Sequence, residues 1–301
     1  MEMERRAPLV REEFCEWRAN ELADSDSFLL QLSPAEQSEI WAVLGHLRRR
    51  GSMPGPLRRA DVPLNGLCTR LAGLRDDIVF GRGFGVIRRI PVDRLGDGEA
   101  LQLMCGLSAH IGRLRVPAEG TSPVTEWTGM PDPQADLFGL LCLSAAPLGT
   151  SLRLTSAVAV HNEVARQRPD LLGALYRRTS LGRPVFKASG RVLSARLGFS
   201  DLERHAVDDE QAEACALAHE IARDSALELA FEPGDLLFVN AHHVAVGVAQ
   251  GTPSGFRVHD VSAVRGLDAR SGRVGAIALS SPHIENGAND SDSEAGERAA
   301  A

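Results

Sequence analysis

The chain has 301 residues, 44% of them apolar and 24% charged, with a formal net charge of −7. That is enough chain to bury a sizeable core, and an ordinary composition for a globular protein. The acidic balance argues against nucleic-acid and anionic-membrane partners, which want clustered basic side chains. Lys187 is the only lysine, so the basic residues are almost all arginine. This reads as the codon bias of a GC-rich, bacterial genome. Five cysteines, odd in number and without CxxC spacing, predict reduced thiols, with Cys105 and Cys142 in buried apolar surroundings. MEMERRAPLVREEF at the N-terminus offers no signal-peptide core, and no run is long enough to cross a bilayer. The expectation is a cytoplasmic protein.

Residues 1–32 are charged and weakly periodic and are expected to form an arm. Ser33, Pro34 and Glu36 then spell a capping box, opening a helix with a stripe of Ile40, Val43, Leu44 and Leu47 that Gly51 stops. Leu64, Leu67, Leu71, Leu74 and Ile78 predict a second amphipathic helix. Gly83–Ile90 reads as a strand ended by Pro91, and Asp97 as the cap of a helix through Leu101, Met104, Leu107 and Ile111. Leu137–Leu143 is a continuous apolar run, consistent with a strand buried on both faces. Helices follow at Ser156–Gln167 and Pro169–Arg177, then a hairpin from Pro184–Lys187 and Arg191–Leu197. Asp208–Arg223 reads as a helix. Strands are expected at Leu227–Phe231, Asp235–Asn240, His243–Val248 and Phe256–Val264, with Glu232–Asp235 as a tight turn. The acidic tail, 285–301, is expected to be disordered.

Helices first and short antiparallel strands afterwards predict an α+β fold around a sandwich or barrel. No Gly-rich phosphate loop, GxSxG elbow or nucleophile-like cysteine appears.

DLFGLLCLSAAPLGTSLRLTSAVAVHNEVARQRPD (Asp136–Asp170) and FEPGDLLFVN (Phe231–Asn240) resemble the taurine dioxygenase-like (TauD/TfdA, clavaminate synthase-like) family. The resemblance implies a double-stranded β-helix, or jelly roll, flanked by helices over residues 33–284. It also implies an ancestry that binds Fe(II) and 2-oxoglutarate through two histidines and a carboxylate. Counting back five residues from Asp136, as the resemblance directs, puts Pro131 and Pro133 at the first two ligand positions. Val246 falls at the distal histidine, and Val261 at the arginine that anchors the co-substrate.

These replacements lead to the expectation of a chain without the metal and without a cofactor. It would act on a small molecule by a non-oxidative step such as isomerisation, cyclisation, elimination or condensation in natural-product metabolism. His242 and His259 are the expected proton-transfer pair and Arg257 the anchor for an anionic ligand. Trp127, Met130, Asp132 and Asn240 are the expected substrate contacts. His243 and Asp260 have the opposite strand parity and are assigned solvated or packing roles. Structural roles are expected for His110 and His161, and a homo-oligomer stays open. Two alternatives also stand: a non-catalytic metabolite-binding or accessory protein, and an Fe(II)/2-oxoglutarate-type oxygenase with an unusual metal site drawn from Asp132, His242, His243 or His259.

Overall fold

The computed structural model describes residues 15–22, 25–49, 51, 57–115, 136–145, 151–189, 192–195, 199–248 and 257–264, with backbone alone at 113–115, 189, 192, 199–201 and 257–264. The expected tail at 285–301 lies outside the described residues.

A short helix α1 (Ala19–Leu22) and strand β1 (Leu29–Gln31) precede α2 (Pro34–Arg49), α3 (Gly66–Phe80), β2 (Phe84–Arg88), α4 (Asp97–Ile111) and β3 (Arg113–Arg115). The capping box forms as expected: Ser33 N–H donates to Glu36 Oε2 at 2.8 Å, and Glu36 N–H donates to Ser33 Oγ at 3.3 Å. The Arg70 guanidinium then grips the same carboxylate at 2.7 Å, joining α3 to the start of α2. Glu39 of α2 accepts from the backbone N–H groups of Asn65 and Gly66 at 3.1 and 2.8 Å. A helix N-terminus with no side-chain cap of its own is thus satisfied by its neighbour. In α4 the cap is Gly96 rather than Asp97, which is the first helical residue; Glu99 closes back on the Gly96 N–H at 3.3 Å.

Beyond them lie β4 (Leu137–Ser144), β5 (Ser151–Ser156), α5 (Ala157–Gln167), α6 (Pro169–Leu175), the hairpin β6 (Phe186–Ser189) and β7 (Val192–Ala195), and α7 (Asp209–Asp224). The chain continues through β8 (Leu227–Ala230), β9 (Leu236–Asn240), β10 (Val244–Val248) and β11 (Arg257–Val264). The major sheet has the order β1-β2-β9-β4-β11-β3, with only β1 and β2 parallel; β10-β5-β8 form a second, antiparallel sheet.

Two-residue periodicity sorts the side chains of the central strands onto two faces. Leu137, Leu141, Leu236 and Phe238 pack with Ile40, Leu44, Leu71, Met104 and Leu107 of the N-terminal helices. Phe138, Leu140, Cys142, Leu237 and Val239 meet Leu152, Leu154, Leu227, Leu229, Val244 and Val246 of the second sheet. The apolar run at 137–143 is continuous because both its faces are covered. A third cluster joins α5, α6 and α7 to the hairpin through Val160, Leu175, Phe186, Leu193 and Ala218.

Residues 15–32 depart from the expected arm. Trp17 and Phe28 are buried and stack tilted on Phe84 at 5.2 and 5.3 Å between ring centroids. Trp17 Nε1–H also donates to the Arg82 carbonyl at 2.8 Å. Charged neighbours hide these scattered anchors from a periodicity reading. Among the described residues no helix is long and apolar enough to cross a membrane.

The FEPGD turn places β9. Gly234 has φ +87°, and a Cβ there would lie 2.3 Å from the Ile90 carbonyl oxygen. Ile90 N–H donates to Gly234 O, and Gly234 N–H to Cys142 O, at 3.0 and 2.9 Å. Only glycine permits that approach.

Candidate functional site

Strand β9 ends at Asn240 and turns through Ala241–His243 into β10. Asn240 builds this turn: its N–H donates to Gly83 O at 2.7 Å, its Nδ2 to Ile78 O at 3.3 Å, and its Oδ1 accepts from His242 N–H at 3.1 Å. Gly83, at φ +90°, makes room, since a Cβ there would sit 2.8 Å from Val244 Cγ2.

His242 is buried and joins three separate parts of the chain. Nε2–H donates to Asp136 Oδ1 at 2.8 Å, Nδ1 meets Ser194 Oγ at 2.9 Å, and the His242 carbonyl accepts from Ala195 N–H at 2.9 Å. A carboxylate can only accept, so the Nε2 proton faces Asp136, and in the neutral ring Nδ1 accepts from the serine hydroxyl. Asp136 is buried as well and is held by its backbone too, because Ala241 N–H donates to its carbonyl at 2.9 Å.

His243, expected in a solvated or packing role, takes the packing one: it is more deeply buried than His242, at 1% exposure. Its carbonyl accepts from Ala157 N–H at 2.8 Å. Burial first, and the adjacent His242 second, push its imidazole down to about 4, so it stays neutral at pH 7. Burial also lowers His110 and His161. His110 Nε2 bonds to Val62 O at 2.9 Å; His161 joins Asn162 Oδ1 at 3.1 Å and the Tyr176 hydroxyl at 2.8 Å. These contacts support the structural roles read for both.

The structure therefore brings Asn240 and His242 together, with Asp136 and Ser194 as partners that sequence reasoning did not select. Asp136 served there only as a landmark for counting, and the separation of 48 positions between Ser194 and His242 leaves no local signal. Trp127, Met130, Pro131, Asp132 and Pro133 lie outside the described residues. Arg257, His259 and Val261 lie on β11, described by backbone alone, with His259 opposite Leu141 and Val261 opposite Gly139. Val246 is buried in the apolar space between the two sheets. Among the described residues, no group of three or more His, Cys, Asp or Glu side chains comes together to hold a metal ion.

No family model matches the chain. It is similar to a taurine hydroxylase-like protein, SAT17, of Stachybotrys chartarum, with 24% identity over 271 residues covering 74% of this chain and 70% of that one. It is also similar to FR-33289 synthase of Streptomyces rubellomurinus, 22% identical over 181 residues and covering 53% of each. Among solved structures it matches asparagine oxygenase in complex with Fe(II), 2S,3S-3-hydroxyasparagine and succinate, with TM-score 0.60 and 16% identity, covering 78% of this chain and 93% of that one. It matches the non-heme iron oxygenase OrfP in complex with Fe at TM-score 0.56 and 16% identity, with the same coverages.

The mixed helix-and-sheet fold is thus the one found in non-heme iron oxygenases. Both curated relatives agree with the resemblance to the taurine dioxygenase-like family that the sequence carries.

These comparisons overturn one expectation. A metal-independent, degenerate protein working by a non-oxidative step, or without catalysis, does not fit neighbours that are iron oxygenases and a relative named as a synthase. The error was to read the loss of ligands at positions fixed by one count back from Asp136 as the loss of the chemistry.

Proposed function

We propose that this protein is an oxygenase of the Fe(II)/2-oxoglutarate type that acts on a small molecule through a metal site departing from the family pattern. The observation that carries the reading is the similarity to a taurine hydroxylase-like protein along 74% of the chain. The two sheets closing on a shared apolar interior support the finer description of the fold as a double-stranded β-helix.

Such iron sites take two histidines and one carboxylate on one face of the metal. The described residues do not by themselves supply that set, and His242 directs both ring nitrogens at Asp136 and Ser194. The segment between β3 and β4 carries three carboxylates, Glu119, Glu126 and Asp132; the count to Pro133 passed over the first two. They are the carboxylates to test, with His259 of β11 as the imidazole and Arg257 as anchor for the anionic co-substrate. Trp127 and Met130, in the same segment as the carboxylates, are the proposed substrate contacts.

Anaerobic titration of the purified chain with Fe(II) and 2-oxoglutarate tests this reading. The charge-transfer absorption of a ferrous keto-acid chelate should develop at one iron per chain. It should weaken on replacing one of Glu119, Glu126 or Asp132 by alanine. No band and no retained iron in folded protein would refute it.

A further inference from the structure

We propose that His242 is a positioning residue, a buried clamp that fixes the start of β4 and the hairpin β6–β7 against the turn into β10. The inference deepens the oxygenase reading and rests on it for its catalytic consequence.

Asp136 is the first residue after the segment 116–135 that carries the proposed carboxylates. It is tied to the Ala241–His242 turn twice, through its own carbonyl and through Oδ1. Among the described residues the hairpin pairs with neither sheet. Its second strand meets the same histidine twice, by Ser194 Oγ on the ring and Ala195 N–H on the carbonyl. His242 thus sits where three chain segments converge, and four residues farther on is Val246, in the sandwich interior. A ring whose two nitrogens face a carboxylate and a hydroxyl is oriented to hold geometry, as outer-shell partners of metal sites do. Position, not charge, is then what Asp136 contributes, and the isosteric amide of asparagine can still accept from Nε2–H.

Hydrogen–deuterium exchange on the full chain and its variants is the first test, and it needs neither iron nor substrate. His242→Ala should speed exchange in peptides covering β4 and in those covering β6–β7 together, by roughly tenfold, whereas Ser194→Ala should speed only the hairpin. Responses of the two regions that are unlinked in His242→Ala would overturn the clamp.

The second test is succinate formed per substrate turned over, with 2-oxoglutarate and Fe(II) present. Asp136→Ala should lower coupled turnover by about 10- to 100-fold, and Asp136→Asn should restore most of it. An Asp136→Asn protein as impaired as Asp136→Ala would show that charge is what matters and would overturn the positioning role. If the unsubstituted protein forms no succinate, the oxygenase reading fails, and the exchange data still decide the clamp.

Discussion

Asp235 of the FEPGD turn offers a quantitative test of how the turn is built. Its side chain is 3% exposed, lies 3.6 Å from Arg88 Nε, and accepts from Glu232 N–H at 3.2 Å. Burial pushes the carboxyl up from 3.8 to about 6, against the pull of the Glu232 N–H and the Arg88 charge. Below the unfolded value both states are protonated, and the neutral acid contributes its full stability. As pH rises from about 4 to about 6 the unfolded chain releases its proton first, and the native state loses stability. Two pH units at about 1.4 kcal/mol each make this loss about 3 kcal/mol. Asp235→Asn keeps an acceptor for the Glu232 N–H and cannot ionise. Between about pH 4 and pH 7 its unfolding free energy should therefore gain about 3 kcal/mol relative to the unsubstituted protein. Urea unfolding of both proteins across that range measures the difference directly, and other titrating groups cancel. Two stability curves that run parallel with pH would refute the reasoning.

Three further predictions concern the scaffold and the apolar interior. Trp17→Ala should destabilise the protein by about 3–5 kcal/mol in denaturant unfolding, because residues 15–32 are part of the core; a loss near zero would make them an arm after all. Gly234→Ala forces a side chain against the Ile90 carbonyl at positive φ. It should cost about 3 kcal/mol or more, lowering the melting temperature by about 6 °C or more. Val246→His puts an imidazole in the sandwich interior, where an unpaired polar group costs about 1–3 kcal/mol. If that position is the distal ligand position the resemblance implies, anaerobic Fe(II) should restore the melting temperature of this variant, and an iron-independent melting temperature would speak against it.

The scaffold was legible wherever a local rule acts alone. The Ser33–Glu36 capping box, the stripe of α2, the two-faced apolar run of β4 and the turn at Gly234 are each set by residues within a few positions of one another. Trp17 escaped because its partners Phe84 and Arg82 lie more than sixty residues away and its neighbours are charged. The candidate site was half legible. Asn240 and His242 stood out because they follow the FEPGD strand, but Asp136 and Ser194 reach His242 only through the pairing of distant segments. Strand parity put His243 opposite His242, which was sound for an extended strand. The chain turns at 241–243 instead, and both rings end up buried. The functional expectation fared worst: four apolar residues at the positions the resemblance implies led to a non-oxidative reading, whereas the solved structures that share the fold are iron oxygenases.

The most direct measurement is oxygen consumption by the Fe(II)-loaded chain with 2-oxoglutarate, followed together with succinate release. An oxygenase predicts both at equal rates, abolished by removing iron or the keto-acid. Iron-loaded, folded protein that consumes no oxygen and releases no succinate would contradict the account.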